Sequence, residues 1–283
     1  MKISRHPSSS STAIKNGATG GQGNSYPCPL QCGRVRETDR PATGDRLGKK
    51  RNKQQQRKEG KQQEEMAPLK LYGMPLSPNV VRVATVLNEK GLDFEIIPVD
   101  LTTGAHKQPD FLALNPFGQI PALVDGDEVL YESRAINRYI ATKYASSGAA
   151  LLPAMPSAKL EVWLEVESHH FYPNASPLVF QLVFRPLFGG APDPVVVDKH
   201  AHELAKVLDV YEAHLAQNKY LAGDQFTLAD ANHASYLLYL TKTPKAGLVN
   251  DRPHVKVWWE DIAARPAFQK TVAALPLPPP PSA

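Results

Sequence analysis

The chain has 283 residues, 42% of them apolar, enough for one large domain or two ordinary ones with real cores. Its formal charge of +4 hides two unlike pieces: residues 1–65 carry 14 Lys/Arg against 6 Asp/Glu, net +8, and residues 66–283 carry 18 against 22, net −4. The mild acidity of the longer piece argues against a nucleic-acid partner, and the lack of any apolar run of about 18 residues argues against a membrane span.

Residues 1–65 begin Ser- and Gly-rich and turn basic and Gln-rich, with almost no periodic apolar residues, so they read as a disordered basic extension. Three accounts of it stay open. The first 36 residues lack Asp and Glu, in the manner of an organelle transit segment, and Lys49–Lys53 is in the manner of a nuclear address. Alternatively Met66, in M-A-P-L-K-L-Y-G, is the physiological start and the extension belongs to an extended gene model. The expected location is cytoplasmic, with plastid or nucleus following only if residues 1–65 are real and act as a signal. Both cysteines, Cys28 and Cys32, lie in this segment, which leaves residues 66–283 without a disulfide, a thiol nucleophile or a thiolate metal site. No metal is expected from the histidines either. His169 and His170 are adjacent and diverge on a helix, and His200 and His202 have a poor ligand spacing.

From Leu69 the pattern becomes regular. L-K-L-Y reads as a short strand, and Ser77-Pro78 as the N-cap and first residue of a helix that Gly91 stops. The free N–H groups of that first turn make an anion site in outline, although Ser-Pro taken alone is a plain cap. A second strand covers Phe94–Val99, followed by the polar loop Leu101–Pro109 and a short helical run to Asn115. The apolar end of N-P-F-G-Q-I-P-A-L-V-D is a third strand, and Asp125-Gly126-Asp127 turns it tightly into a fourth at Glu128–Tyr131. Ser133 caps a further helix, with Ile136, Ile140 and Tyr144 along one side. The order is βαβαββα.

Residues 149–156, A-A-L-L-P-A-M-P, break this alternation and read as a linker. Beyond them no strand is expected. Leu160, Trp163, Leu164 and Phe171 form a helical stripe, which Pro173 and Pro177 are expected to kink or restart. A long helix covers about Val195–Gln217, and Thr227-Leu228-Ala229-Asp230 is a capping box ahead of an apolar, buried helix. Helices near Val255–Ala264 and Pro266–Ala274 and a solvated Pro-rich tail, 276–283, complete the chain.

A βαβαββα unit with Ile120-Pro121 before its third strand, Glu132-Ser133 at its last helix and an all-helical sequel resembles the cytosolic glutathione transferases. The resemblance covers residues 66–275 and is closest to the plant phi class, through A-H-K-Q-P-D-F, N-P-F-G-Q-I-P-A-L-V-D-G-D, Y-E-S-R-A-I-N-R-Y-I, Y-L-A-G-D-Q-F-T-L-A-D-A-N-H and P-H-V-K-x-W-W. It implies an α+β fold: a thioredoxin-like domain at 67–148 that binds glutathione, and an all-α domain at 157–275 that holds an apolar acceptor. It also implies a homodimer, glutathione as co-substrate, and conjugation of its thiolate to small hydrophobic electrophiles, with reduction of organic hydroperoxides by the same thiolate. A noncatalytic carrier of apolar metabolites is the alternative.

Site roles follow from the same resemblance. Ile120, preceding a cis Pro121, offers its backbone to the cysteinyl part of glutathione. Glu132 and Ser133 take the γ-glutamyl ammonium and carboxylate, with Gln119 adding a hydrogen bond, and His106 and Lys107 take the glycyl carboxylate. Ser77 acts as hydrogen-bond donor to the thiolate, never as base. Tyr72 is the rival for that task, but its place inside the first strand points it into packing. Pro78, Leu101, Phe180 and Phe184 line the acceptor pocket, and Arg134 is structural.

Overall fold

The computed structural model describes residues 68–155 and 157–276, which belong to one compact unit. The expectations for residues 1–65 and for the tail beyond residue 276 lie outside the described residues.

Strand β1 (Leu69–Gly73) turns Leu69 and Leu71 into the main core and leaves Lys70 exposed, the period-two alternation of a half-buried strand. Helix α1 (Pro78–Glu89) follows, capped at its C-terminus by Lys90 and ended by Gly91 at φ 63°. Strand β2 (Phe94–Pro98) pairs parallel with β1. A 3₁₀ turn (Ala105–Lys107) and the short α2 (Pro109–Leu112) lead to β3 (Ala122–Asp125) and β4 (Glu128–Tyr131). β3 lies antiparallel to both β1 and β4, and the sheet order is β2-β1-β3-β4. Gly126, at φ 62°, takes the first turn position of the β3–β4 hairpin. Helix α3 (Ser133–Lys143) completes the βαβαββα unit, packing beside α1 on the sheet through Ile136 and Ile140, both fully buried.

The second half is helical throughout. One continuous run crosses α4 (Ala158–Val166), a π turn at Glu167–Phe171, α5 (Tyr172–Val179), a second π turn at Phe180–Phe184, and α6 (Arg185–Leu187). Here the helix does not stop and restart at Pro173 and Pro177. The wider i→i+5 turns immediately precede Pro173 and Pro186, and Pro177 lies inside α5. Helix α7 (Pro194–Leu215) is capped by Asp193, and α8 (Leu228–Ala231) begins with the Thr227–Asp230 capping box. The apolar run after that box is α9 (Ala234–Leu240), every residue of which is buried. The short α10 (Gly247–Asn250), α11 (Pro253–Ala264) and α12 (Pro266–Ala273) follow.

One hydrophobic core runs through both halves, from Leu71 and Val80 on the sheet side to Leu237 and Trp258 among the helices. The halves therefore share a core, and each fully buried aliphatic contributes about 1.5–3 kcal/mol. A second cluster of Val99, Phe111 and Ala122 covers the other face of the sheet.

Candidate active site

The turn between β1 and α1 decides what Ser77 can do. Ser77 N–H donates to the Met74 carbonyl and its own carbonyl accepts from Val81 N–H, both at 2.9 Å, so the residue is pinned on either side. Contrary to the capping role expected of it, its hydroxyl makes no bond to the helix. Pro78 supplies no N–H, and the backbone alone closes the first turn, which leaves the hydroxyl of this largely buried serine free to face the cleft. Tyr72 points the other way. It packs against the Val99–Phe111–Ala122 cluster on the far side of β1 and does not line that cleft.

The cleft is a cavity of about 420 Å³. Ser77, Pro78, Leu101, His106, Lys107, Gln119, Ile120, Phe180 and Phe184 all line it. An adjoining recess of about 60 Å³ is lined by Pro121, Glu132 and Ser133, and shares Asn79, Gln119, Ile120 and Tyr172 with the larger cavity. The structure thus brings every candidate residue to one connected hollow.

Its thioredoxin-like wall is rigid because buried amides staple the loop before β3. Asn115, 1% exposed, donates to the Gln119 carbonyl at 2.6 Å and accepts from Phe117 N–H at 3.0 Å. Lys107 Nζ donates to the Phe117 carbonyl at 3.0 Å, while His106 Nδ1 is buried without a partner. Gly118 is required there by conformation and by space: it sits at φ 58°, and a Cβ would come within 2.7 Å of the His106 carbonyl and 2.8 Å of Lys107 Nζ. The Ile120–Pro121 peptide is cis.

At the start of α3 the expected cap is displaced by one residue. Glu132 is the N-cap, held at φ 66° and ψ 105°, a costly conformation for a residue with a side chain, and its own side chain is exposed. Ser133 is the first helical residue. Its hydroxyl is not free to cap because it accepts from Arg82 at 3.0 Å.

Arg82, fully buried on α1, has no counterpart in the sequence-based site. Its guanidinium also donates to the Asn232 carbonyl at 2.9 Å, to Asn79 Oδ1 at 3.1 Å and to Glu167 at 2.9 Å. Arg134 closes the cluster with two bonds to Glu167, at 2.5 and 3.0 Å, and stacks over the Tyr172 ring at 4.4 Å. Burial pushes the Glu167 carboxyl up, but Arg82 and Arg134 outweigh it and hold it below the usual range. Next to them His233 is buried and neutral: Nδ1–H donates to the Ala229 carbonyl at 2.6 Å, and Nε2 accepts from Tyr211 at 2.9 Å. The sequence signal for Arg82 was a lone cation inside the apolar run V-V-R-V-A-T-V.

The acceptor side is also wider than expected. Met74, Tyr172, Ser176, Val179, Phe188 and Tyr236 join Phe180 and Phe184 on the wall. Tyr172, Ser176 and Val179 stand at helical spacing, a pattern that Pro173 and Pro177 obscure in the sequence.

Two family models match the chain in order: the glutathione S-transferase N-terminal domain at residues 67–142 and its C-terminal domain at 171–266. The chain is 83% identical over 219 residues to glutathione S-transferase 3 of Zea mays, covering 77% of this chain and 99% of the relative. The chain belongs to the glutathione S-transferase family. Within it the affinity is to the plant phi class: glutathione S-transferase F13 of Arabidopsis thaliana is 48% identical over 214 residues, 75% of this chain and 98% of the relative. Among solved structures, glutathione S-transferase III in apo form matches with a TM-score of 0.73 at 88% identity, over 76% of this chain and all of the other. Glutathione S-transferase I from mais, in complex with an atrazine glutathione conjugate, matches with a TM-score of 0.68 at 46% identity, over 73% and 97%. Among the described residues no three His, Cys, Asp or Glu side chains cluster as metal ligands, and no helix is long and apolar enough to cross a membrane.

Proposed function

We propose that this glutathione S-transferase conjugates the glutathione thiolate to small hydrophobic electrophiles, with Ser77 as the donor that stabilises the thiolate. The observation that carries this is the Ser77 hydroxyl: unbonded within the protein, at a helix N-terminus, facing a cleft whose other wall is aromatic. A cysteine thiol has a pKa of about 8.5, and lowering it by two units requires about 2.7 kcal/mol. A helix N-terminus gives about 0.3–1 kcal/mol, at most about 2, and a hydrogen bond to a charged acceptor about 1.5–3 kcal/mol. Together they suffice where the dipole alone does not. The sulfur then attacks the electrophilic carbon, an S–C bond forms, and the leaving group departs with its electron pair.

Ile120, next to Pro121, presents its backbone to the cysteinyl unit. Glu132 and Ser133 take the γ-glutamyl end in the small recess, supported by Gln119. Arg82 engages a lone pair of Ser133 and so leaves the hydroxyl proton for the incoming carboxylate. His106 and Lys107 take the glycyl carboxylate, and the unpartnered His106 Nδ1 supports this. Pro78, Leu101, Phe180 and Phe184 hold the electrophile. The protein acts in the cytoplasm as a homodimer, and elution as a monomer would overturn that assembly. Hydroperoxide reduction is read as a second use of the same thiolate.

The test is turnover of a small aryl halide by the full chain and by Ser77→Ala. The variant is expected to lose about tenfold or more in kcat/KM, with KM for glutathione within about twofold. Equal turnover removes Ser77 from its role. Glutathione binding without turnover by the parent protein favours the carrier reading instead.

A further inference from the structure

The peptide that carries Ser77 is gripped from the helical half of the molecule. Tyr239, on the wholly buried α9, is 3% exposed and does not line the cleft. Its hydroxyl donates to the Leu76 carbonyl at 2.5 Å, joining positions 163 residues apart. That carbonyl and the Ser77 N–H are the two polar groups of one planar peptide unit. The N–H is already held by the Met74 carbonyl, so the plane is fixed at both edges. With the Ser77 carbonyl bonded to Val81 as well, both peptide planes flanking Ser77 are held, and with them the direction of its Cα–Cβ bond. Burial, then the neighbouring Tyr236, pushes the Tyr239 phenol above its usual range, so it remains a donor at every working pH. Its ring meets Phe184 of the cleft wall edge-on, with centroids 5.3 Å apart.

We propose that Tyr239 is a positioning residue for catalysis: by holding the Leu76–Ser77 peptide it aims the serine hydroxyl at the sulfur of bound glutathione. The inference rests on the donor reading of Ser77. Hydrogen bonds weaken steeply as they leave linearity, so a small tilt of this peptide costs part of the donor's effect. The device makes the helical half, through a residue one contact behind Phe184, a determinant of thiolate formation in the other half.

The experiment titrates glutathione bound to the full-chain protein by the far-ultraviolet absorbance of its thiolate. Tyr239→Phe is expected to raise the apparent thiol pKa by about half a unit to one unit, and to lower kcat/KM near neutral pH about three- to tenfold. KM for glutathione is expected to stay within about twofold. A lower melting temperature with an unmoved thiol pKa overturns the proposal, because that is the signature of packing alone. In a Ser77→Ala background Tyr239→Phe is expected to add nothing to the thiol pKa; an additive shift also overturns it. If Ser77→Ala alone leaves the thiol pKa unchanged, the donor reading falls and this inference with it, whereas silence of Tyr239→Phe alone removes only the tether. Site-specific replacement of Tyr239 by 4-aminophenylalanine, which keeps a donor at the ring tip, is expected to restore the parent's pKa, and failure to do so counts against the hydroxyl's role.

Discussion

Two helices of the thioredoxin-like half begin beside a serine, and the structure treats these serines in opposite ways. Ser77, before α1, has ordinary backbone angles and a hydroxyl without a partner. Ser133, opening α3, follows a residue at φ 66°, and its hydroxyl is tied to a buried arginine that reaches Glu167 in the helical half. The difference teaches a division of labour. On the roles proposed above, the serine meant for the reacting sulfur is unbonded within its own protein, while the serine meant for the γ-glutamyl end is fixed by a bond behind it.

The most disruptive way to break the contrast is Arg82→Met. It leaves Glu167 buried with Arg134 as its remaining cation and is expected to cost about 3–5 kcal/mol, read as a lower denaturant midpoint. A midpoint unchanged in Arg82→Met would mean that the pair does not support the Ser133 end.

Acid should probe the same end next. Burial, against the pull of Glu167, pushes His233 down to about 4 from the usual 6.5. Between those values the unfolded chain takes up a proton that the fold refuses. Stability is therefore complete above about pH 6.5 and is lost as pH falls toward 4, by about 3 kcal/mol. His233→Gln should flatten the melting temperature over that interval, and an undiminished slope would place the titration elsewhere.

The finest comparison is between the serines themselves. Ser133→Ala removes an acceptor from a buried cation and is expected to cost about 1–3 kcal/mol, whereas Ser77→Ala, which breaks no internal bond, should stay within about 0.5 kcal/mol. Equal losses in thermal denaturation would erase the distinction.

Much of this was legible in the sequence, for reasons that differ by residue. The βαβαββα order followed from local signals such as the Gly126 turn, and the buried helix of the second half from the Thr227–Asp230 box, because turn and cap chemistry is short-range. Ser77 could be singled out from its Ser-Pro helix start, whereas Gln119 and Glu132 were named through the resemblance to the glutathione transferases. Arg82 could not be placed: its partners Ser133, Glu167 and Asn232 lie 51, 85 and 150 residues away, and nothing local announces them. Of the two cap assignments, Ser77 is the N-cap residue as expected but without a side-chain cap bond, and Ser133 stands one residue inside its helix. The Ser133 hydroxyl is captured from another helix, and the Ser77 hydroxyl is left unused by its own. Tyr172, Ser176 and Val179 were hidden by Pro173 and Pro177, across which the helical run nonetheless continues.

Those two π turns carry a consequence for how such a cleft can diversify. Each is in effect one surplus residue in a helical run, and successive α-helical residues are about 100° apart around the axis. Deleting the surplus residue from Phe180–Phe184 would close that turn to ordinary α-helical width and leave the residues on either side in register, so that Glu167 still faces Arg82 and Phe188 still lines the wall while the residues inside the turn are re-aimed. The wall can thus gain or lose one side chain at this turn through a single codon, with the helix beyond it and the sheet-bearing half left in place.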